Sequence, residues 1–496
     1  MDGANAAFTR AARWPGAKDA ARAGLDLTAA RAGRGPTQAV RLELLSVPGE
    51  ALVLSAIDAG RLDAAGAVAR LMRLSGDPTG ALYEAVIALE TGDEPRAREA
   101  AAASAAPLAA RGLGARLARA LAARDAGART LVLDRNGELL ATLDAAGAIV
   151  PRAETVGLLA GVLERLPPVP NSGAVRLAVD LELSRDALRA LGERRGSIVL
   201  VDARSGAVRA AVSDARTSER EASAPFTQRR EPASIAKLLT AAAAYRAGLD
   251  PDAAIARMTC TGVERYGGQP LWCPYPAGPL AGLDHALAQS CNVAFASVAA
   301  GLGAEAMQDE YRRWGFDAPG AAPLGAAGRI HTPPLTPRAL ADLAIGLGGV
   351  DVTPLHAALL AATVANDGTT VEPHLLEGAC GPLGLGRVEE AAAPGREVLD
   401  AAVARRLRRA MEAVVRFGTG AGLAPDDLAL AMKTGTAAEF GLGYHVNYIG
   451  FLPRRSLAFC VRVTHERTSP AVSRAAREVT ARLLQSLGDR LTARGL

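Results

Sequence analysis

The chain has 496 residues, 49% of them apolar and only 4% aromatic. That length predicts two to four domains, with cores built from Leu, Val, Ile and Ala rather than from rings. The net charge of +4 is spread along the chain, not gathered in a run, which argues against nucleic acid as a partner. Five cysteines without C-x-x-C spacing do not describe a disulfide scaffold or a zinc ribbon.

The N-terminus, MDGANAAFTRAARWPGAKDAARAG, has no apolar stretch of signal-peptide length, and no run reaches the ~18 apolar residues of a spanning helix. The chain as given therefore reads as soluble: cytoplasmic, or lacking an upstream targeting or anchoring segment. Residues 1–125 read as helix throughout. Two segments are alike, ALVLSAIDAGRLDAAGAVARL from Ala51 and ALYEAVIALETGDEPRAREAA from Ala81. Each carries an isoleucine six residues on (Ile57, Ile87) and turns near a glycine (Gly60, Gly92). The period of 30 predicts helix–turn–helix units, weakly tetratricopeptide-like; an Ala-rich helical bundle fits the same residues.

Next, RTLVLDRNGELLATL (129–143) sets alternating apolar residues around Asn136-Gly137 and predicts a β-hairpin. LPPVPNSG (166–173) reads as a boundary. Beyond it come a helix, LELSRDALRALGERR, and a hairpin, GSIVLVDARSGAVRAAVSD. A long helical middle follows, then late strands (VNYIGFLP, SLAFCVRVTH) and a final helix. This order predicts an α+β domain, an antiparallel sheet packed with helices. The predicted division is 1–125 helical module, 126–172 short β-containing linker, and 173–496 α+β domain.

Only three of the 56 basic residues are lysine: Lys18, Lys237 and Lys433. Arginine cannot act as a base, so a chain that uses arginine almost everywhere has a reason for each lysine it keeps. Lys237 lies in EPASIAKLL, three residues after Ser234. Pro232 and Gly248 bracket this run as a helix, placing Ser234 in its opening turn and Lys237 one turn later on the same face. A serine hydroxyl needs a neighbouring base to attack, and a lysine kept neutral by burial can be that base. Lys433 opens MKTGTAAEF, as Lys433-Thr434-Gly435-Thr436. Between the two lysines lies AQSCNVAF, with Ser290-Cys291-Asn292. S-x-x-K alone is a weak signal and a solvated lysine its ordinary explanation. S-x-x-K, S-x-N and K-T-G in that order form the constellation of penicillin-recognising serine enzymes.

From 173 to the C-terminus the chain resembles the transpeptidase domain of penicillin-binding proteins. The family's E-P-G-S-x-x-K is similar to Glu231-Pro232-Ala233-Ser234, with alanine for glycine. ALAQSCNVAF resembles A-L-x-x-S-C-N-x-x-F, and FGTGAGL, MKTGTA and YIGFLP resemble G-T-G, K-T-G-T-A and I-G-x-x-P. AIGLGGVDVTPLHAALLAATVANDGTTVEPHLL is similar to the glycine-rich turn, T-P-L and A-N-x-G segments. LVLDRNGELLATL resembles a segment of class B, monofunctional members, which makes 126–172 a reduced pedestal.

The resemblance implies that Ser234 attacks a D-Ala-D-Ala terminus to form an acyl-enzyme, with Lys237 taking its proton. It implies that Ser290 and Lys433 relay a proton to the leaving amine and that Asn292 holds the substrate amide and Lys237. Thr434 and Thr436 would bind the terminal carboxylate, and Gly435 would let substrate approach the strand. The backbone N–H groups of Ser234 and Thr436 would form the oxyanion hole. Peptidoglycan stem peptides and β-lactams are the implied ligands, in the cell envelope, with no cofactor and no metal. A membrane glycosyltransferase and division or elongation proteins are candidate partners. The resemblance also implies a Cys260–Cys273 disulfide, with unpaired thiols as the alternative. Cys291 reads as buried packing and His285 as structural. Two other readings stay open: a DD-carboxypeptidase or β-lactamase of the same fold, and a non-catalytic penicillin sensor or scaffold. No glutamate between Val293 and Met432 is followed by x-x-L-N, which argues against a class A β-lactamase.

Overall fold

The computed structural model describes residues 49–493, apart from 59, 105–111, 145, 170–172, 319–323, 325–326, 332, 386–394, 426–427, 440–442 and 466–468. The helix predicted for the first 48 residues, and Lys18 within it, lie outside the described residues. The chain divides into two compact units.

The first unit contains two helical hairpins. Helices α1 (Gly49–Asp58) and α2 (Leu62–Leu74) form one, and α3 (Gly80–Glu90) and α4 (Glu94–Ala102) the other. They turn at Gly60 and Gly92, whose φ values of 70° and 88° are left-handed conformations that glycine adopts without a Cβ penalty. Asp93 caps α4 by accepting from the Arg96 N–H, with proline in the first turn. Val53, Ile57, Ala65, Ala69 and Met72 of the first hairpin share a core with Tyr83 and Ile87 of the second, so the two similar isoleucines meet in one seam. Helix α5 (Leu113–Asp125) follows.

A five-stranded sheet completes this unit. Strands β1 (Thr130–Leu133), β2 (Leu139–Leu143), β3 (Ile149–Pro151) and β4 (Gly173–Leu177), with the strand Leu376–Cys380, lie in the order Leu376–Cys380, β4, β1, β2, β3. The β1–β2 hairpin turns at Asn136-Gly137 as predicted. The Asp134 carboxylate accepts from the Asn136 and Glu138 N–H groups at 2.8 Å each, and Gly137 has φ 81°. β4 runs parallel to β1.

The second unit is built on an antiparallel sheet of β5 (Gly196–Asp202), β6 (Val208–Ser213), β7 (Ala431–Glu439), β8 (Gly443–Leu452) and β9 (Leu457–His465), in the order β7-β8-β9-β5-β6. Every residue of β6 and nearly every one of β5 and β8 is buried, so both faces are covered. Helices α6 (Leu181–Leu191) and α10 (Ser469–Ala493) pack together against it, and α9 (Pro354–Ala365) packs separately. Asp180 starts α6 by accepting from the Glu182 and Leu183 N–H groups at 3.0 Å, and Gly192 (φ 58°) ends it. Helix α9 is buried on nearly every side and is apolar apart from His356 and Thr363; Thr353 caps it and proline opens it. The predicted α+β class, sheet and helical N-terminal region are the observed ones. Among the described residues, no helix is long and apolar enough to cross a membrane.

Candidate active site

Four elements of the second unit supply the site. They are the 3₁₀ turn Ala233–Ala236, helix α7 (Lys237–Arg246), helix α8 (Asn292–Leu302) with the residues before it, and edge strand β7. Ser234 sits in the 3₁₀ turn and Lys237 is the first residue of α7. The helix predicted from Pro232 thus begins as a tighter turn, which holds the serine partly exposed while Lys237 is fully buried. Ala233 has φ 53°, a strained value for a residue with a Cβ, and it stands where the family carries glycine. The turn is pinned by the Ala233 N–H donating to the Gly346 carbonyl at 2.9 Å.

The Lys237 ammonium is the hub. Nζ lies 2.9 Å from Ser234 Oγ, 2.7 Å from the Ser290 carbonyl, 3.2 Å from Ser290 Oγ and 2.7 Å from Asn292 Oδ1. Two of these, the carbonyl and the amide oxygen, can only accept. The Asn292 amide is oriented by Nδ2 donating to the Trp272 carbonyl at 2.6 Å. A neutral amine has two hydrogens and one lone pair; the two acceptors take the hydrogens, and the lone pair is left for a hydroxyl proton. Ser234 Oγ is the nearer hydroxyl. Burial pulls the Lys237 pKa from its ordinary 10.5 to about 7, against a small upward pull from the neighbouring cysteines. The geometry and the protonation state both suit a general base.

Lys433, also fully buried, donates to Ser290 Oγ at 3.0 Å and to the Thr434 carbonyl at 2.8 Å. Ser290 Oγ therefore bridges the two lysines. The Lys433 pKa lies well below its usual value, through burial first and the Lys237 charge second. Ser290 has φ 54°, a left-handed turn that aims both its carbonyl and its hydroxyl inward just before α8. Thr434 Oγ1 is 2.8 Å from Thr419 Oγ1, and Thr436, two residues along the same face of β7, is exposed.

Gly435 is required by the protein itself. A Cβ there would lie 2.7 Å from the Pro232 carbonyl oxygen and 3.1 Å from the Ser234 nitrogen, so β7 passes directly under the turn that carries Ser234. Gly435 pairs with Asn447 on β8, which pairs with Arg462 on β9. That row faces the turn. Arg462, wholly buried, donates from Nε to Asn447 Oδ1 at 2.7 Å and to the Gln228 and Val352 carbonyls at 2.7 and 3.0 Å. Asn447 Nδ2 donates to the Glu231 and Pro232 carbonyls at 3.3 and 3.4 Å, and His445 Nε2 to that of Glu231 at 2.8 Å.

All eight residues singled out by motif therefore belong to one neighbourhood. The sequence reading assigned no role to Thr419, Asn447, His445 or Arg462. Arginine at an inward position of the apolar strand SLAFCVRVTH was the one signal available. Cys260 and Cys273 are free thiols with their sulfurs 3.5 Å apart, so the disulfide implied by resemblance is not formed here. His285 accepts from the Ala281 N–H at 3.2 Å, a structural contact.

The fold and this arrangement are of the kind carried by penicillin-recognising serine proteins, and comparison with known proteins agrees. The model of the penicillin-binding protein transpeptidase domain matches residues 196–485; the chain belongs to that family. It is 31% identical over 277 residues to the peptidoglycan D,D-transpeptidase PbpA of Mycolicibacterium smegmatis, covering 53% of this chain and 51% of that protein. It is 29% identical over 291 residues to penicillin-binding protein PbpB of the same organism, covering 52% and 42%. The chain thus spans about half the length, or less, of these curated relatives. The crystal structure of PBPA from Mycobacterium tuberculosis superposes with a TM-score of 0.61 at 23% identity, over 73% of this chain and 98% of that one. The D,D-transpeptidase domain of a peptidoglycan glycosyltransferase from Eggerthella lenta gives 0.62 at 19%, over 73% and 99%. At these identities the superpositions speak for the fold.

Proposed function

We propose that this protein is a serine-type DD-transpeptidase that cross-links peptidoglycan stem peptides and is acylated by β-lactams. The observation that carries the reading is the buried Lys237 amine, 2.9 Å from Ser234 Oγ, with its hydrogens engaged by acceptor-only oxygens. In the mechanism, Ser234 Oγ attacks the carbonyl of the penultimate D-alanine as its proton passes to Lys237 Nζ. The oxyanion is held by the N–H groups of Ser234 and Thr436. The proton reaches the leaving D-alanine nitrogen through Ser290 Oγ, which touches both lysines. Lys433 keeps that hydroxyl polarised. Asn292 positions the substrate amide, and Thr434 and Thr436 bind the terminal carboxylate. The second amino group of a neighbouring stem peptide then attacks the acyl-serine by the reverse route.

In this reading residues 173–496 form the transpeptidase domain, 126–172 a reduced pedestal and 1–125 a helical module available to partner proteins, such as a membrane glycosyltransferase or division and elongation proteins. The substrate places the working protein outside the cytoplasm. Support also comes from relatives named as D,D-transpeptidases and from a fold neighbour described as an imipenem acyl-enzyme complex.

The test is incubation with benzylpenicillin followed by intact-mass analysis. The drug's full mass should add to the wild type, persist for minutes and be absent from Ser234→Ala. An adduct on another serine would remove Ser234 from the mechanism. Loss of the adduct within a second, with turnover of a chromogenic cephalosporin, would turn the reading to a β-lactamase.

A further inference from the structure

Behind the S-x-N segment three sulfurs converge from separate elements. Cys260 comes from the short strand Thr259–Cys260. Cys273 follows the hairpin strand Gln269–Trp272. Cys291 caps α8 between Ser290 and Asn292. Cys260 Sγ is 3.5 Å and Cys291 Sγ 3.7 Å from Cys273 Sγ, and all three lie within 4.8 Å of one another. Cys260 and Cys291 are buried and Cys273 is partly exposed, which leaves one side open to solvent.

The shape of this cluster separates two chemistries. Sides of 3.5, 3.7 and at most 4.8 Å make the angle at Cys273 smaller than a right angle. Thiol–disulfide exchange proceeds by in-line attack and needs three sulfurs near a straight line; a compact triangle does not offer that. A triangle with those sides has a circumradius of no more than about 2.4 Å, while a zinc–thiolate bond is about 2.3 Å. One ion therefore reaches all three sulfurs with little movement. The surrounding backbone is arranged for sulfur that carries negative charge. The Asn292 and Val293 N–H groups donate to Cys273 Sγ at 3.1 and 3.4 Å, and the Ala294 N–H to Cys291 Sγ at 3.4 Å. They are the first three N–H groups of α8, which need acceptors in any case, and their donation favours a thiolate on the sulfur that receives it.

We propose that Cys260, Cys273 and Cys291 form a three-thiolate binding site for a thiophilic d10 cation such as Zn²⁺, with the open side at Cys273 left for water as the remaining ligand. Nothing in the serine chemistry requires this site, and it stands or falls separately. Binding releases the thiol protons and forms three metal–sulfur bonds, with no change of oxidation state. The bound ion ties Cys291, and with it the flanking Ser290 and Asn292, to the loop that carries Cys273.

The experiment is a Cd²⁺ titration of the full chain, purified anaerobically with its thiols reduced, read by thiolate-to-cadmium charge-transfer absorbance. A saturable band at one equivalent is expected, with intensity for three thiolates and displacement by Zn²⁺. Cys260→Ser, remote from the S-x-N motif, should weaken binding at least about tenfold, while Cys380→Ser should bind as the wild type does. Benzylpenicillin labelling of each variant verifies that it is folded. The absence of a saturable band in the wild type would overturn the site, as would equal binding by Cys260→Ser. So would a disulfide among these three cysteines in protein isolated from its native compartment without reductant.

Discussion

In the proposed mechanism Lys237 takes a role that its type does not ordinarily have. A lysine in water is protonated at neutral pH and cannot accept a proton. Burial removes the solvation that favours the cation, and the Lys237 charge in turn helps to lower the pKa of Lys433 across the same serine hydroxyl. The expected consequence is a pH profile. The Lys237 pKa lies near 7, and acylation needs the neutral form. The acylation rate by benzylpenicillin should therefore rise with pH, level off above about 7, and fall by about tenfold for each pH unit below it. Lys237→Arg keeps a cation that cannot release its proton, and it should lose about 100- to 10,000-fold in acylation rate while remaining folded. Stopped-flow acylation from pH 5 to 9 measures both. A flat profile, or a fast arginine variant, would take Lys237 out of the proton transfer.

Among elements, the closest relationship is between β7 and the 3₁₀ turn. The turn lies over Gly435, where any side chain would strike the Pro232 carbonyl oxygen. The turn's approach to the strand is held by Asn447 and His445 of β8, and Asn447 by Arg462 of β9. Three adjacent strands therefore set the height of Ser234 above the sheet. Gly435→Ala should push Ser234 outward by a few tenths of an ångström or more and slow acylation by about 100-fold, the cost of a misplaced reacting group. The melting temperature should fall by only a few degrees, because the sheet itself is untouched. Penicillin labelling kinetics alongside thermal unfolding tests this; wild-type kinetics in the alanine variant would show that the approach has no bearing on reactivity.

At the scale of the whole molecule, two histidines couple the stability of the second unit to acid. His356 in α9 accepts at Nδ1 from the Gly328 N–H at 2.7 Å and donates from Nε2 to the Trp314 carbonyl at 2.9 Å, which fixes it as the neutral tautomer. Burial lowers its pKa to about 4, and burial with the Arg462 charge lowers that of His445 to about 3. Both values lie below the 6.5 of the unfolded chain, so the unfolded state binds more protons in between. The stabilisation is present above pH 6.5 and is lost as pH falls toward 4, by up to about 1.4 kcal/mol per pH unit for each histidine. Denaturant unfolding at pH 7.5, 6, 5 and 4 should show that decline, and His356→Gln, which keeps a donor and an acceptor, should flatten it. An unchanged slope in the variant would mean that His356 titrates normally.

Much of this protein was legible in one dimension. Motif residues spread over about two hundred positions could be ordered along the chain because the proposed chemistry needs serine, lysine and asparagine each as themselves: a nucleophile, a tunable base and a paired donor and acceptor. The helical hairpins and the Asn136-Gly137 turn were legible too, since glycine at φ 70–88° and apolar spacing are local requirements. What the sequence could not supply was anything set by packing. The 3₁₀ start of the turn that carries Ser234, and the Gly346 carbonyl that receives the Ala233 N–H, cannot be read from EPASIAKLL. Only the tertiary structure gives β4 its parallel neighbour β1. Arg462 and Asn447 look like strand residues until the sheet aligns them with Gly435. The three sulfurs, up to 31 positions apart in sequence, form a triangle only because three separate elements meet there. Local backbone chemistry is written into short stretches of sequence; distances between stretches are decided by how both faces of a sheet are covered.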